Sequence, residues 1–65
     1  MLVVINGTSF ATNAATLLEL VVERGHEPSS IATALNGKFV TAVQRHKEIL
    51  RQGDAIEIVT ARQGG

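Results

Sequence analysis

No cysteine occurs in these 65 residues. Disulfides, thiolate metal sites and a cysteine nucleophile are therefore excluded within the chain. Tryptophan and tyrosine are missing too, and phenylalanine occurs only as Phe10 and Phe39. That is too little for a platform on which bases stack. Positive charge is not in excess, since six Lys and Arg balance six Asp and Glu. A nucleic-acid partner, which needs basic groups to neutralise phosphates, is not expected. No apolar run is long enough to cross a membrane. The opening Met1-Leu2-Val3-Val4-Ile5 has neither the basic leader nor the cleavage site of a signal peptide. His26 and His46 lack other ligands at metal-binding spacing, so no metal site is expected. What remains is a single soluble, cytoplasmic domain, near the lower size limit for a core without staples.

What the chain does contain is well-marked turn chemistry. Leu2 to Ile5 is an apolar, β-branched run that suits a central strand covered on both faces. Asn6-Gly7 then predicts a hairpin, because both turn positions tolerate positive φ. Its return strand is placed at Thr8 to Thr12, with Phe10 as the one large apolar anchor. Thr16 is placed as the cap of a helix over Leu17 to Arg24, with Glu19 reaching back as in a capping box. Leu17, Leu20 and Val21 share the face that meets the sheet, and Leu18 and Val22 widen it. Gly25 is read as the C-terminal cap, and Pro28 as a bar to restarting the helix. Ile31 to Leu35 reads as a third strand, weakened by two alanines. Asn36-Gly37 predicts a second hairpin, returning as Lys38-Phe39-Val40. From Thr41 to Leu50 the pattern is irregular, with a helical turn around Val43 to Lys47 and with Ile49 and Leu50 tucked under the domain. Gln52-Gly53-Asp54 is a turn, and Ala55 to Val59 is the last strand, Ile56 and Ile58 on one face and Glu57 on the other. Strands with one helix over a mixed sheet make an α+β roll. The first and last strands, being the most apolar, are expected side by side in its middle.

The sequence closes on Thr60-Ala61-Arg62-Gln63-Gly64-Gly65. Glycine carries no Cβ, so a Gly-Gly end is narrow and chemically plain. The one reactive group it offers is the Gly65 carboxylate. At average glycine usage, roughly 7%, two such glycines arise by chance in about one chain in 200. A tail over about residues 60–65, with little apolar surface to hold it down, is expected to be flexible. Arg62 and Gln63 are expected to line the entry to a partner channel. No Ser, Cys or paired carboxylates complete a nucleophilic constellation with either histidine, so no catalytic residue is assigned and the chain is not expected to be an enzyme. His26 is expected to be exposed. His46, with Arg45, Lys47 and Arg51, is read as part of a solvated basic face. Phe39 and Val59, with Leu2 or Val4, lie on the outer sheet face and are a candidate docking patch for a protein partner.

Taken in order, Val3-Val4-Ile5-Asn6-Gly7, the Thr16-Leu17 helix start, Ala34-Leu35-Asn36-Gly37-Lys38-Phe39-Val40, Gln52-Gly53-Asp54, Ile56-Glu57-Ile58-Val59 and Gly64-Gly65 resemble the ThiS sulfur carriers of thiamine biosynthesis, in the ThiS/MoaD ubiquitin-like family. Two departures fall in the irregular segment. Thr41-Ala42 stands where many members have Pro-Arg, and Arg45 stands where an aromatic or histidine is often found. The resemblance implies a β-grasp, ubiquitin-like roll of four to five strands on one main helix. It implies that a ThiF-like, E1-like adenylyltransferase activates the Gly65 carboxylate with ATP and magnesium, none of which this chain itself binds. Sulfur from a persulfide relay then gives a thiocarboxylate, the donor for a ThiG-like thiazole synthase, with Arg62, Gln63 and Gly64 presented to both partners. Two other readings remain open: a molybdopterin-synthase small subunit or ubiquitin-like modifier of the same fold, and a non-catalytic β-grasp binding module.

Overall fold

Both Asn-Gly pairs turn the chain back on itself. Asn6 and Gly7 have φ of 49° and 86°, and Asn36 and Gly37 have φ of 51° and 85°. This is the left-handed pair that a two-residue hairpin loop requires. The structure, a computed structural model, describes residues 1–60. The first turn joins β1 (Leu2–Ile5) to β2 (Thr8–Ala11), and the second joins β3 (Ile31–Leu35) to β4 (Lys38–Val40). The last strand, β5 (Ala55–Thr60), enters between the hairpins. It runs parallel to β1 and antiparallel to β3, giving a five-stranded mixed sheet in the order β2-β1-β5-β3-β4. The expected α+β roll is the one observed, with β1 and β5 adjacent as the apolar character of both strands predicts.

One helix, α1 (Leu17–Glu23), covers the sheet. The Thr16 hydroxyl accepts from the Glu19 amide at 3.2 Å, while the Glu19 carboxylate accepts from the Ala15 amide at 2.8 Å. The predicted capping box is thus closed one residue earlier than Thr16 itself. At the other end the Gly25 amide donates to the Val22 carbonyl and the His26 amide to the Val21 carbonyl. Those two bonds, with Gly25 at φ 82°, form a Schellman cap. Seven residues are too few to be helical alone in water, so packing must hold α1 in place. Leu17, Leu20 and Val21 are fully buried against Val3, Ile5, Ile56 and Ile58. Each contributes roughly 1.5–3 kcal/mol through burial.

Three expectations are corrected, and that for Pro28 is qualified. The β1 strand is covered on one face only, since Val3 and Ile5 are buried while Leu2 is exposed and Val4 half-buried. Val22 does not widen the buried stripe and is exposed on the far side of α1. Pro28 bars a new α-helix, yet it occupies the first position of a short 3₁₀ turn, Pro28–Ser30. There its fixed φ and missing N–H cost nothing. Leu50 is buried, but Ile49 is exposed. The Leu17 amide donates to Glu48 and the Leu50 amide to Ala15, with Thr16 bridged to Ile49, so the segment is locally extended. Consecutive side chains of an extended segment face opposite ways, and only one of the two can point inward. A second 3₁₀ segment, Ala42–Lys47, precedes it, a residue longer at its start than expected.

Leu20→Ala is expected to lower stability by about 2–5 kcal/mol, and Val22→Ala by less than about 0.5 kcal/mol. Urea unfolding followed by circular dichroism separates the two.

Candidate functional site

The strand that leads to the glycines is the central one of the sheet. Ile56 and Ile58 of β5 point into the core, while Glu57 and Val59 face outward. Its last residue, Thr60, lies opposite Ile31 of β3. Arg62, Gln63, Gly64 and Gly65, the residues expected to be presented and modified, lie outside the described residues. What the structure positions is therefore the base of the segment that carries them.

Beside that base is an apolar surface. Cross-strand partners share a face, so the pairs Ala34↔Phe39, Ala32↔Val59 and Ala34↔Glu57 place these side chains together on the side away from α1. Phe39 is 69% exposed and Val59 58% exposed. The alanines between them are too short to fill the surface, which leaves a shallow depression walled by Phe39, Val59 and Glu57. The two alanines read in the sequence as weakening this strand thus form the floor of the patch. Leu2 and Val4 lie on the same face but not in the same place. Val4 pairs with Ala55, four residues along β5 from Val59. The outer-face patch accordingly centres on Phe39 and Val59, as the sequence suggests, with Ala32, Ala34 and Glu57 as members that it did not mark.

The expected basic face is only partly present. His46, Lys47 and Arg51 are exposed, but Arg45 is 2% exposed. Its Nε donates to the Thr33 hydroxyl at 3.0 Å, and its Nη1 and Nη2 to the carbonyls of Pro28 and Ile31, each at 2.8 Å. Thr33 in turn donates to the Val40 carbonyl at 3.0 Å. Every acceptor is neutral. A charged residue in a polar stretch normally reads as solvated, and no local pattern reveals that three carbonyl and hydroxyl oxygens lie within its reach. His26, expected exposed, is half-buried after the helix cap. Phe10 packs at the edge of the core with the Arg24 guanidinium 4.0 Å from its ring centre, a cation–π contact.

Among the described residues no group of three or more His, Cys, Asp and Glu gathers as metal ligands. The arrangement offers chemistry of another kind, an exposed apolar surface at the root of a chain end.

Comparison with known proteins bears on the family and the fold. The family model described as the ThiS family matches residues 3–65. The sulfur carrier protein ThiS of Thermus thermophilus is 33% identical over 61 residues, covering 94% of this chain and 95% of that protein. A crystal structure of the thiamine biosynthesis protein ThiS from Geobacter metallireducens superposes with a TM-score of 0.80 over the whole of both chains, at 22% identity. A solution structure of a Geobacter metallireducens thiamine biosynthesis protein gives the same TM-score, with 88% of that chain covered. The structural matches share the mixed sheet and single main helix, which is the β-grasp roll. With the family match running through both terminal glycines, this chain belongs to the ThiS family.

Proposed function

We propose that this protein carries sulfur on its C-terminal glycine for thiazole formation in thiamine biosynthesis. The observation that carries the reading is the family match, which continues beyond the described residues through Gly64 and Gly65. A free carboxylate is a poor electrophile, so it must first acquire a leaving group. In the proposed sequence a carboxylate oxygen of Gly65 attacks the α-phosphorus of ATP in a ThiF-like, E1-like adenylyltransferase, and magnesium pyrophosphate departs. A persulfide sulfur then attacks the acyl carbon and expels AMP. Cleavage of the sulfur–sulfur bond by a thiol leaves the thiocarboxylate on Gly65. A ThiG-like thiazole synthase accepts that sulfur. The carrier's contribution is positional: it holds an unhindered acyl end where the partner's chemistry takes place. ATP and magnesium belong to the activating enzyme, the carrier needs no catalytic group of its own, and the cytoplasm is the proposed setting.

The surface around Phe39 and Val59 suits this role. An exposed phenylalanine beside a depression offers a partner an anchor next to the departing chain end. Arg62 and Gln63 are proposed to line the channel through which the glycines pass.

Incubation with ATP, magnesium, a sulfide source and a ThiF-like enzyme is expected to raise the intact mass by the replacement of one oxygen with sulfur, mapped to Gly65. Gly65→Trp, or one residue added beyond Gly65, is expected to abolish the gain without altering the fold. Normal adenylation of either variant would refute the proposal. Phe39→Asp is expected to leave stability within about 0.5 kcal/mol of the native chain. It should raise the KM for adenylation by about tenfold or more, measured by pyrophosphate release.

A further inference from the structure

Along a central strand the backbone groups point alternately to its two neighbours. The Asn36 amide donates to the Ala55 carbonyl at 2.7 Å, which sets the phase. Ala55, Glu57 and Val59 turn their backbone groups to β3, and Ile56 and Ile58 turn theirs to β1. On β3 the same phase turns Ile31 and Thr33 away from β5, toward the side of β4. Both flanking strands stop short. The β1–β5 ladder ends at Ile5↔Ile56 and the β4–β3 ladder at Val40↔Thr33, whereas β3 and β5 continue together to Ile31↔Thr60. The far end of the β3–β5 pair is thus a two-stranded ribbon that projects past both neighbours, and such ribbons are marginal in water on their own.

On each flank a side chain takes the place of the missing strand. The Asn6 Nδ2 donates to the Ile58 carbonyl at 3.0 Å, and its Oδ1 accepts from the Ile58 amide at 2.9 Å. Across the ribbon, Arg45 Nη2 donates to the Ile31 carbonyl and Nη1 to Pro28 just before it. Ile58 and Ile31 are the next residues after each ladder ends whose backbone groups face the same side. Arg45 is a poor choice for stability alone, because burying a cation with only neutral partners costs several kcal/mol in desolvation. What a guanidinium offers and an apolar side chain of similar length does not is a rigid fork of donors.

We infer that Asn6 and Arg45 are positioning residues: they brace the β3–β5 ribbon at the last described residues before Gly65, the end that a partner has to engage. Their bearing on reaction rests on the proposed role of Gly65, while the brace itself is measurable in the carrier alone. Asn6→Gly keeps a residue suited to positive φ in the turn and removes the carboxamide. Arg45→Met keeps the length and removes the donors, and Arg45→Lys restores one donor. In the full chain, amide exchange of Ala32, Ile58 and Val59 is expected to rise about tenfold or more in Asn6→Gly and Arg45→Met, relative to Leu20 in the same variant. Arg45→Lys is expected to recover part of it. Thr16→Ala, which weakens the distant helix cap and with it the Leu20 amide bonded to the Thr16 carbonyl, should not raise those ratios. Below their melting temperatures the two bracing variants should be adenylated several-fold more slowly than the native chain, with the loss in kcat. Ribbon amides that accelerate only in step with Leu20 would overturn the brace. Raised exchange with native kcat would overturn its bearing on the reaction. A native chain that is not adenylated would refute the role of Gly65, leaving exchange to decide the brace.

Discussion

Burial of one sheet face under a seven-residue helix is the constraint on which the rest of the structure depends. The α1 helix is too short to persist alone, and a lone sheet leaves its apolar side chains in water. Leu17, Leu20 and Val21 meeting Val3, Ile5, Ile56 and Ile58 satisfies both needs. A chain this small has material for one such layer and no more. The opposite face of the sheet therefore stays open, and it is there that Phe39 and Val59 are exposed. Limited size thus leaves open the face on which the proposed docking surface lies.

The elements legible in the sequence are those set by local chemistry. Asn6-Gly7 and Asn36-Gly37 are hairpin turns because few other pairs accept two positive φ values in succession. Thr16, Glu19 and Gly25 mark the helix ends by side-chain and backbone bonds within a few residues. In β5 the alternation of Ile56, Glu57 and Ile58 assigns the two faces correctly. Val59 follows from the same alternation, whereas three residues are too short a run to orient Phe39, whose face is set by its pairing with Ala34. Identification of the family was legible too, because those turns recur in a fixed order and lead to Gly64-Gly65.

What was not legible depends on contacts distant in sequence. Arg45 is drawn inward by Pro28, Ile31 and Thr33, which lie 12 to 17 residues away. Its own neighbours Gln44, His46 and Lys47 are exposed and carry no hint of it. The β1 strand reads as buried on both faces because its run is wholly apolar, yet no second layer among the described residues covers Leu2. Ile49 reads as core by composition and is turned out by an extended backbone bridged to Thr16.

The asparagines show that one residue can satisfy a local and a distant requirement together. Glycine would serve the left-handed φ at either turn, but it has nothing to offer β5. Asn36 Oδ1 accepts from the Ala55 amide, and its Nδ2 donates to Asp54. Asn6 does the corresponding work at Ile58, on the opposite side of the strand. The turn closing each hairpin thereby fastens the strand threaded between the hairpins, near its start from one side and near its end from the other. Asparagine at these turns joins the hairpins that form first in sequence to the strand that arrives last. The side-chain bonds hold β5 in register without drawing on its outer face, where Val59 is exposed one residue before the last described one.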